Sequence, residues 1–242
     1  MSKVIGIDLG TTFSAIASLD DLGNPEVLAS IEDNRKITAS AIYINGNNVT
    51  VGDKALNYIK DEPKKVILQT KREMENDVVY SVNQGKWTDD KDLVDAYTPA
   101  QVSSLILKKL KDYTTDVKKA VITVPAMFAE KARQATLDAA KLADLEVIEL
   151  INEPTAAVLH YASLPGVEVG GRVMIFDLGG GTFDVTFAEV KNKKVDVLTS
   201  RGDKYLGGRD FDKEITKLMK KKYHDVHKVD IDIENKKEYL QK

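Results

Sequence analysis

Two stretches of the chain carry the same arrangement of residues suited to gripping a phosphate. The first, VIGIDLGTTFS from Val4, runs apolar to Asp8 and Leu9, turns at Gly10 and continues through the hydroxyl pair Thr11 and Thr12 to Phe13. The second, VMIFDLGGGTFDVTFAEV from Val173, reaches Asp177 and Leu178, turns through Gly179, Gly180 and Gly181, and returns through Thr182, Phe183 and Asp184. Glycine reaches positive φ and presents no Cβ to a ligand, and the N–H groups of such a turn can converge on an anion. An Asp at the strand end beside it suits a hydrated Mg²⁺ that arrives with phosphate. One such turn alone reads equally well as a plain hairpin. Two, each in Asp-Leu-Gly register, predict similar halves that face each other across a triphosphate.

The elements that must position these turns follow from periodicity. Lys3 to Leu9 and Ser14 to Leu19 form the first hairpin; Val173 to Phe176 reads as a buried strand and Asp184 to Val190 as its returning partner. Between them lie a third strand over Glu26 to Ser30 and a hairpin of Ala39 to Asn45 with Val49 to Gly52, joined by Asn-Gly-Asn-Asn. Asp53 is a candidate cap for a short helix carrying Ala55, Leu56 and Ile59. Asp61 to Trp87 is a polar region containing Lys71-Arg72, in which Lys71, read alone, is a surface lysine. Thr98-Pro-Ala-Gln101 predicts a capped helix with Val102, Leu105, Ile106 and Leu110 on one stripe.

An apolar strand over Lys119 to Val124, stopped by Pro125, precedes an Ala-rich helix over Glu130 to Ala143. A strand over Glu146 to Ile151 then leads into a helix capped by Asn152 or Glu153, where a carboxylate is favoured by the helix dipole. This alternation predicts an α/β sheet. Ser163 to Gly171, rich in Gly and Pro, is the best boundary between halves. Lys194 to Arg201 predicts another strand. A turn ending in Gly207 and Gly208 leads to a helix capped by Asp210 with Phe211, Ile215, Leu218 and Met219 on one face. From Tyr223 to Lys242 the pattern weakens into a solvated face that stops inside a helix.

Bulk properties narrow the function classes. The 242 residues suffice for one large or two modest domains. A hydrophobic content of 43% and a charged content of 30% are ordinary for a globular protein. A net charge of −3 gives no field for nucleic acid. The absence of Cys excludes disulfides, zinc ribbons and thiol catalysis, and suits a reducing cytosol. No signal peptide is read at the N-terminus, and no apolar run approaches the roughly 20 residues that span a bilayer. Other site motifs fail. There is no Gly-x4-Gly-Lys-Ser/Thr loop and no Gly-x-Gly-x-x-Gly opening a helix. His224 and His227 lack further ligands, Asp230, Asp232 and Glu234 lack the spacing of a calcium loop, and Lys220 to Lys222 reads as a solvated helix face. Trp87 reads as local packing.

The stretches IGIDLGTTFS, VITVPAMF with RQAT, INEPTAA, FDLGGGTFDV and LGGRDFD together resemble, in order and spacing, the nucleotide-binding domain of the DnaK-type seventy-kilodalton heat-shock chaperones. The resemblance covers essentially the whole chain. It implies an α/β, actin-like (ribonuclease H-like) ATPase fold, with two lobes each on a mixed five-stranded sheet with flanking helices, the second lobe incomplete. Residues 1–165 would be lobe I, with about 38–112 peripheral, and 166–242 the start of lobe II. It further implies ATP or ADP with Mg²⁺ in the cleft and hydrolysis of ATP to ADP and phosphate. Unfolded peptides, a J-domain co-chaperone and a nucleotide-exchange factor would be partners of a cytoplasmic full-length parent, with neither nucleic acid nor membrane bound.

Carried over residue by residue, the resemblance makes Gly10, Thr11, Thr12 and Phe13 one phosphate loop and Gly179, Gly180, Gly181 and Thr182 the other. Asp8 and Asp177 would hold the waters of Mg²⁺. Lys71 would point at the γ-phosphate, and Glu153 would lie near the attacking water. Thr182 and Asp184 would help to organise water and metal. Gly207 and Gly208 would lie near the sugar and phosphates, and Pro125 and Arg133 would form a switch to the substrate domain. Met127, Ala129 and Arg209 depart from the family pattern beside the switch and after the Gly pair. The resemblance also implies that the adenine-sandwiching residues, the hydrophobic linker and the peptide-binding domain lie outside these residues. The rival readings are a sugar kinase of the actin-like superfamily, for which no sugar pocket is found, and a non-hydrolysing scaffold or partner-binding fragment.

Overall fold

The computed structural model describes residues 3–164, 166–167, 170–191 and 194–230. Its first sheet grows outward from the strand Lys3–Asp8, where Ile5 and Ile7 alternate inward. Val117–Val124 pairs with it in parallel, and Glu146–Asn152 pairs in parallel beyond that. On the other side Phe13–Leu19 and then Pro25–Val27 pair antiparallel, and Thr38–Ala39 adds to Phe13–Leu19 off the main path. The main path thus has five strands, with two parallel and two antiparallel pairings.

Parallel neighbours need a crossover, here the helix Glu130–Leu142 between the strands Val117–Val124 and Glu146–Asn152. Its Ala139 and Ala140 pack with Ile5, Ile7 and Ile122 from the sheet, and with Val102, Ile106, Leu107 and Leu110 of the helix Pro99–Lys111. Each large aliphatic side chain buried this way contributes about 1.5–3 kcal/mol. The helix Pro99–Lys111 starts as predicted. Thr98 Oγ1 accepts from Gln101 N at 3.2 Å, and Gln101 Oε1 accepts from Thr98 N at 2.8 Å. Register then matters for chemistry. Asp8 lies beside Thr123, Thr123 beside Ile151, and Val124 beside Asn152. Three strands therefore end together, and the helix Glu153–Ser163 begins at that edge. In open α/β sheets this carboxyl edge is where ligands bind.

The polar stretch from Asp61 to Trp87 is more ordered than its composition suggests. Val66–Leu68 joins the hairpin of Ala41–Asn45 and Asn48–Val51, and Val79–Ser81 pairs with Lys86–Thr88 and Ala96–Tyr97. Trp87 packs edge-on against Tyr80 at 5.3 Å, as local packing requires. Between these sheets the single 3₁₀ turn Thr70–Glu73 buries Thr70 and Lys71.

Among the described residues the second sheet has three strands, all antiparallel: Gly171–Leu178, Phe183–Lys191 and Lys194–Asp203. Val173 to Phe176 is not buried throughout, since Met174 and Phe176 are 60% and 64% exposed. Successive side chains of a strand face opposite sides, and only the side carrying Asp184, Thr186, Ala188 and Val190 is covered. The helix Gly208–His227 follows, with Phe211, Ile215, Leu218 and Met219 exposed. Three predicted caps are corrected. Gly52, not Asp53, is the cap residue of the helix Asp53–Leu56, Gly207 that of the helix Gly208–His227, and Asn152 occupies its cap position without a side-chain bond. Most of the predicted solvated C-terminal stretch, including Asp232 and Glu234, lies outside the described residues.

Candidate active site

The two glycine turns face each other across a cleft of about 440 Å³. Asp8, Gly10, Thr11, Thr12 and Phe13 line it from the first hairpin, and Asp177, Gly179, Gly180 and Thr182 from the second. Lys71 and Glu153 line it as well, whereas Gly181, also expected there, does not; Thr123, Ala156 and Ala157, which sequence reasoning did not single out, join them. Thr123 Oγ1 donates to Asp8 Oδ1 at 3.1 Å, so it orients that carboxylate. Its signal in the sequence was only a hydroxyl at the end of an apolar strand.

The glycines are dictated by close approach. A Cβ on Gly10 would stand 1.9 Å from Phe13 O, one on Gly180 2.1 Å from Thr12 Oγ1, and one on Gly181 2.3 Å from Thr11 Cγ2. Gly207 and Gly208 do not line the cleft; they back the second turn. Gly208 N donates to Gly179 O at 3.0 Å and Arg209 N to Gly180 O at 3.2 Å. Arg72 Nε donates to Gly181 O at 2.8 Å. A trans peptide holds C=O and N–H on opposite sides. Three carbonyls anchored outward therefore turn the N–H groups of Gly180, Gly181 and Thr182 away from the helix and Arg72.

The charges in the cleft are lopsided. Lys71, read from sequence as a surface residue, is 8% exposed and ion-paired with Glu153, which is 17% exposed. Burial raises the Glu153 carboxyl above its ordinary range; Lys71 opposes the shift, and the repulsion of Asp8 and Asp177 adds to it. Burial also raises Asp177, and it raises Asp184, which faces Asp177 across the ladder. Asp184 does not reach the cleft; it is buried beneath it, and its Oδ1 has no hydrogen-bond partner. Several carboxylates against one lysine favour a bound cation. Among the described residues no three His, Asp or Glu side chains close on one metal position, so that donor set fits a cation carried among waters. His224 Nδ1 instead meets Asp230 at 2.8 Å.

Sequence reasoning passed over the links from the Gln69–Glu75 segment to the second half. Arg72 is ion-paired with Asp210 at the start of the helix Gly208–His227, and Glu75 with Lys204. With its amide oxygen turned toward Arg209, Gln69 accepts from Arg209 Nε at 2.6 Å and from Nη1 at 2.8 Å. Pro125 and Arg133 lie outside the cleft. Pro125 O accepts from Phe128 N at 3.0 Å. Arg133 donates to Phe128 O at 3.1 Å and to Asn152 Oδ1 at 2.7 Å, one residue from Glu153.

Comparison with known proteins bears on this geometry. A family model described as Hsp70 protein matches residues 4–242. Proteins named Chaperone protein DnaK from Thermotoga petrophila, Thermotoga maritima and Thermotoga neapolitana are each 39% identical over 236 residues. The matched stretch is 94% of this chain and 37% of each relative, so the chain spans little more than a third of their length.

Proposed function

The chain belongs to the Hsp70 protein family, and from that membership we propose that it is the nucleotide-binding part of a chaperone, which binds ATP in the cleft and hydrolyses it to ADP and phosphate. Residues 1–165 would form one lobe of an actin-like fold, with about 38–112 peripheral to it, and 166–242 the start of the other. The observation that carries the reading is the convergence of both Asp-Leu-Gly turns, Lys71 and Glu153 on a single cleft.

Phosphoryl transfer to water needs positioning and charge stabilisation more than covalent help. The turn N–H groups would receive phosphate oxygens, and Lys71 would meet the γ-phosphate. To do so Lys71 must leave Glu153, whose carboxyl it holds down against burial. Glu153 thereby becomes more basic as the phosphate arrives, which suits a group that takes a proton from the attacking water. Asp8 and Asp177, with Thr182 beside them in the cleft and Asp184 beneath, would hold Mg²⁺ through its waters. Bound Mg²⁺ neutralises phosphate charge as the transition state develops. Arg133, through Asn152, would tie the Pro125 turn to Glu153 and so report nucleotide state to a peptide-binding domain. In a longer protein the partners would be unfolded peptides, a J-domain co-chaperone and a nucleotide-exchange factor, in the cytoplasm.

Calorimetric titration with Mg·ATP, followed by single-turnover hydrolysis, tests the reading. Saturable binding with a rate that collapses in Glu153→Gln supports it. Binding whose turnover ignores Glu153 would leave a nucleotide-binding fragment without this chemistry.

A further inference from the structure

The first glycine turn is held from outside by two buried hydroxyls. Ser14 and Ser40 are 1% and 5% exposed. Gly10 N donates to Ser14 Oγ at 3.2 Å, Ser40 Oγ donates to Gly10 O at 2.8 Å, and the two hydroxyl oxygens lie 2.9 Å apart. A hydroxyl carries one proton. Ser40 spends its proton on Gly10 O, so Ser14 must be the donor between the two. The result is a closed ring with one polarity, from Gly10 N–H through Ser14 and Ser40 back to Gly10 O. Such rings are mutually polarising and costly to leave incomplete when buried.

The backbone of Ser40 adds a second anchor, since Ser40 N donates to Thr12 O at 2.8 Å. In the ladder that bond flanks the Phe13–Ala39 pair, so Phe13 N–H does not face Ala39. With Gly10 O and Thr12 O both turned toward Ser40, planar trans peptides turn Thr11 N–H and Phe13 N–H the other way. Thr11, Thr12 and Phe13 form a partition. Ser40, Ala39 and Ala41 line a cavity of about 240 Å³ on one side of it, and the phosphate cleft lies on the other.

We infer that Ser40, acting with Ser14, is a positioning residue that aims the N–H groups of Thr11 and Phe13 into the cleft. The inference rests on the nucleotide reading above for its ligand, but not for its geometry. Ser40→Ala removes the donor to Gly10 O and the acceptor for Ser14, and leaves every charged group of the cleft in place.

Two measurements test it. Mg·tripolyphosphate, a probe that needs no adenine pocket, is titrated in a calorimeter well below the unfolding midpoint. Its affinity should fall about tenfold or more in Ser40→Ala, as expected when a buried carbonyl loses its donor, and Ser40→Thr, which keeps the hydroxyl, should restore much of it. Amide hydrogen exchange should quicken at Thr11 and Phe13 and stay unchanged over Gly179 to Thr182. Wild-type affinity in Ser40→Ala, or unaltered exchange at Thr11 and Phe13, overturns the assignment. If the unmodified chain binds neither tripolyphosphate nor ATP, it is the nucleotide reading that fails, and exchange at those two amides still decides this one.

Discussion

Gly207 does not line the cleft, yet its replacement should disable the second phosphate turn. An ideal Cβ at Gly207 would stand 2.4 Å from Gly181 N, 2.6 Å from Gly180 C and 2.7 Å from Gly180 O. Non-bonded carbon contacts settle at about 3.5–4.0 Å, and here every obstacle is backbone. In Gly207→Ala the helix start and the turn must separate by about 1 Å. That lengthens the Gly208 N–Gly179 O and Arg209 N–Gly180 O bonds, now 3.0 and 3.2 Å, to about 4 Å, where neither survives. Two lost bonds at about 1 kcal/mol each give about 2 kcal/mol. Retaining them under strain costs a similar amount, about 1–3 kcal/mol. For a chain of this size about 2 kcal/mol lowers the unfolding midpoint by about 4–8 °C. Released carbonyls of Gly179 and Gly180 no longer fix the opposing N–H groups, so Mg·tripolyphosphate affinity should fall in parallel. Scanning calorimetry and titration calorimetry read the two effects. Gly6→Ala is the control, because its Cβ would meet nothing within 4 Å, and alanine in a strand is if anything stabilising. A Gly207→Ala variant that melts with the wild type and binds tripolyphosphate equally well would refute the close-approach argument.

Three further outcomes are expected. Lys71→Ala should slow single-turnover hydrolysis about 10²–10³-fold, the usual loss for one aimed donor, while Mg·ATP binding is largely kept; an unchanged rate sinks the role. Arg72→Ala should weaken tripolyphosphate binding, and Arg72→Lys should fail to rescue it, because an ammonium cannot serve Gly181 O and Asp210 together as a guanidinium fork does; full rescue by Lys would reduce Arg72 to a point charge. Stability of the ligand-free chain should pass through a maximum at mildly acidic pH. Glu153, Asp177 and Asp184 have raised folded values, so the native state holds protons that the unfolded chain has lost, and stability falls as pH rises through that window. Asp210 and Glu32, each held down to about 2 by ion-pairing, contribute above the unfolded carboxylate value and lose that contribution as pH falls toward 2. Urea midpoints that climb without a turn from acid to neutral pH would contradict this.

What could be read in advance was decided by neighbours in the chain. The Thr98 capping box, the Asn45–Asn48 hairpin turn and the Asp-Leu-Gly turns each use residues a few positions apart, so their pattern survives in one dimension. The burial of Lys71 could not be read, because the groups around it, Glu153 and the two turns, come from both ends of the chain. Ser40 was invisible for the same reason: nothing near it in sequence marks it as the partner of Gly10. Val173 to Phe176 was misread because a four-residue apolar run looks alike whether both faces of its strand are covered or one.

The failed caps show which force overrode the local rule. Asp53, Asn152 and Asp210 all have the right side chain near a helix start, and none makes a capping bond. Each is taken by an arginine from elsewhere: Asp53 by Arg35, Asn152 by Arg133 and Asp210 by Arg72. A side-chain cap is worth about 1 kcal/mol, whereas a hydrogen bond to a charged group is worth about 1.5–3 kcal/mol. The long-range partner therefore outweighs the cap where the arginine is buried, as Arg72 is, and only matches it at the exposed Arg35–Asp53 pair. Thr98 keeps both of its capping-box bonds with Gln101 and so remains a cap. Two of the three diverted residues flank the cleft, Asn152 beside Glu153 and Asp210 beneath the second turn. A residue that breaks a strong local rule to meet a distant cation is doing something the local rule does not describe: Asp210, through Arg72, ties the second half of the site to the first, while Asn152, through Arg133, braces the start of the Glu153 helix within the first half.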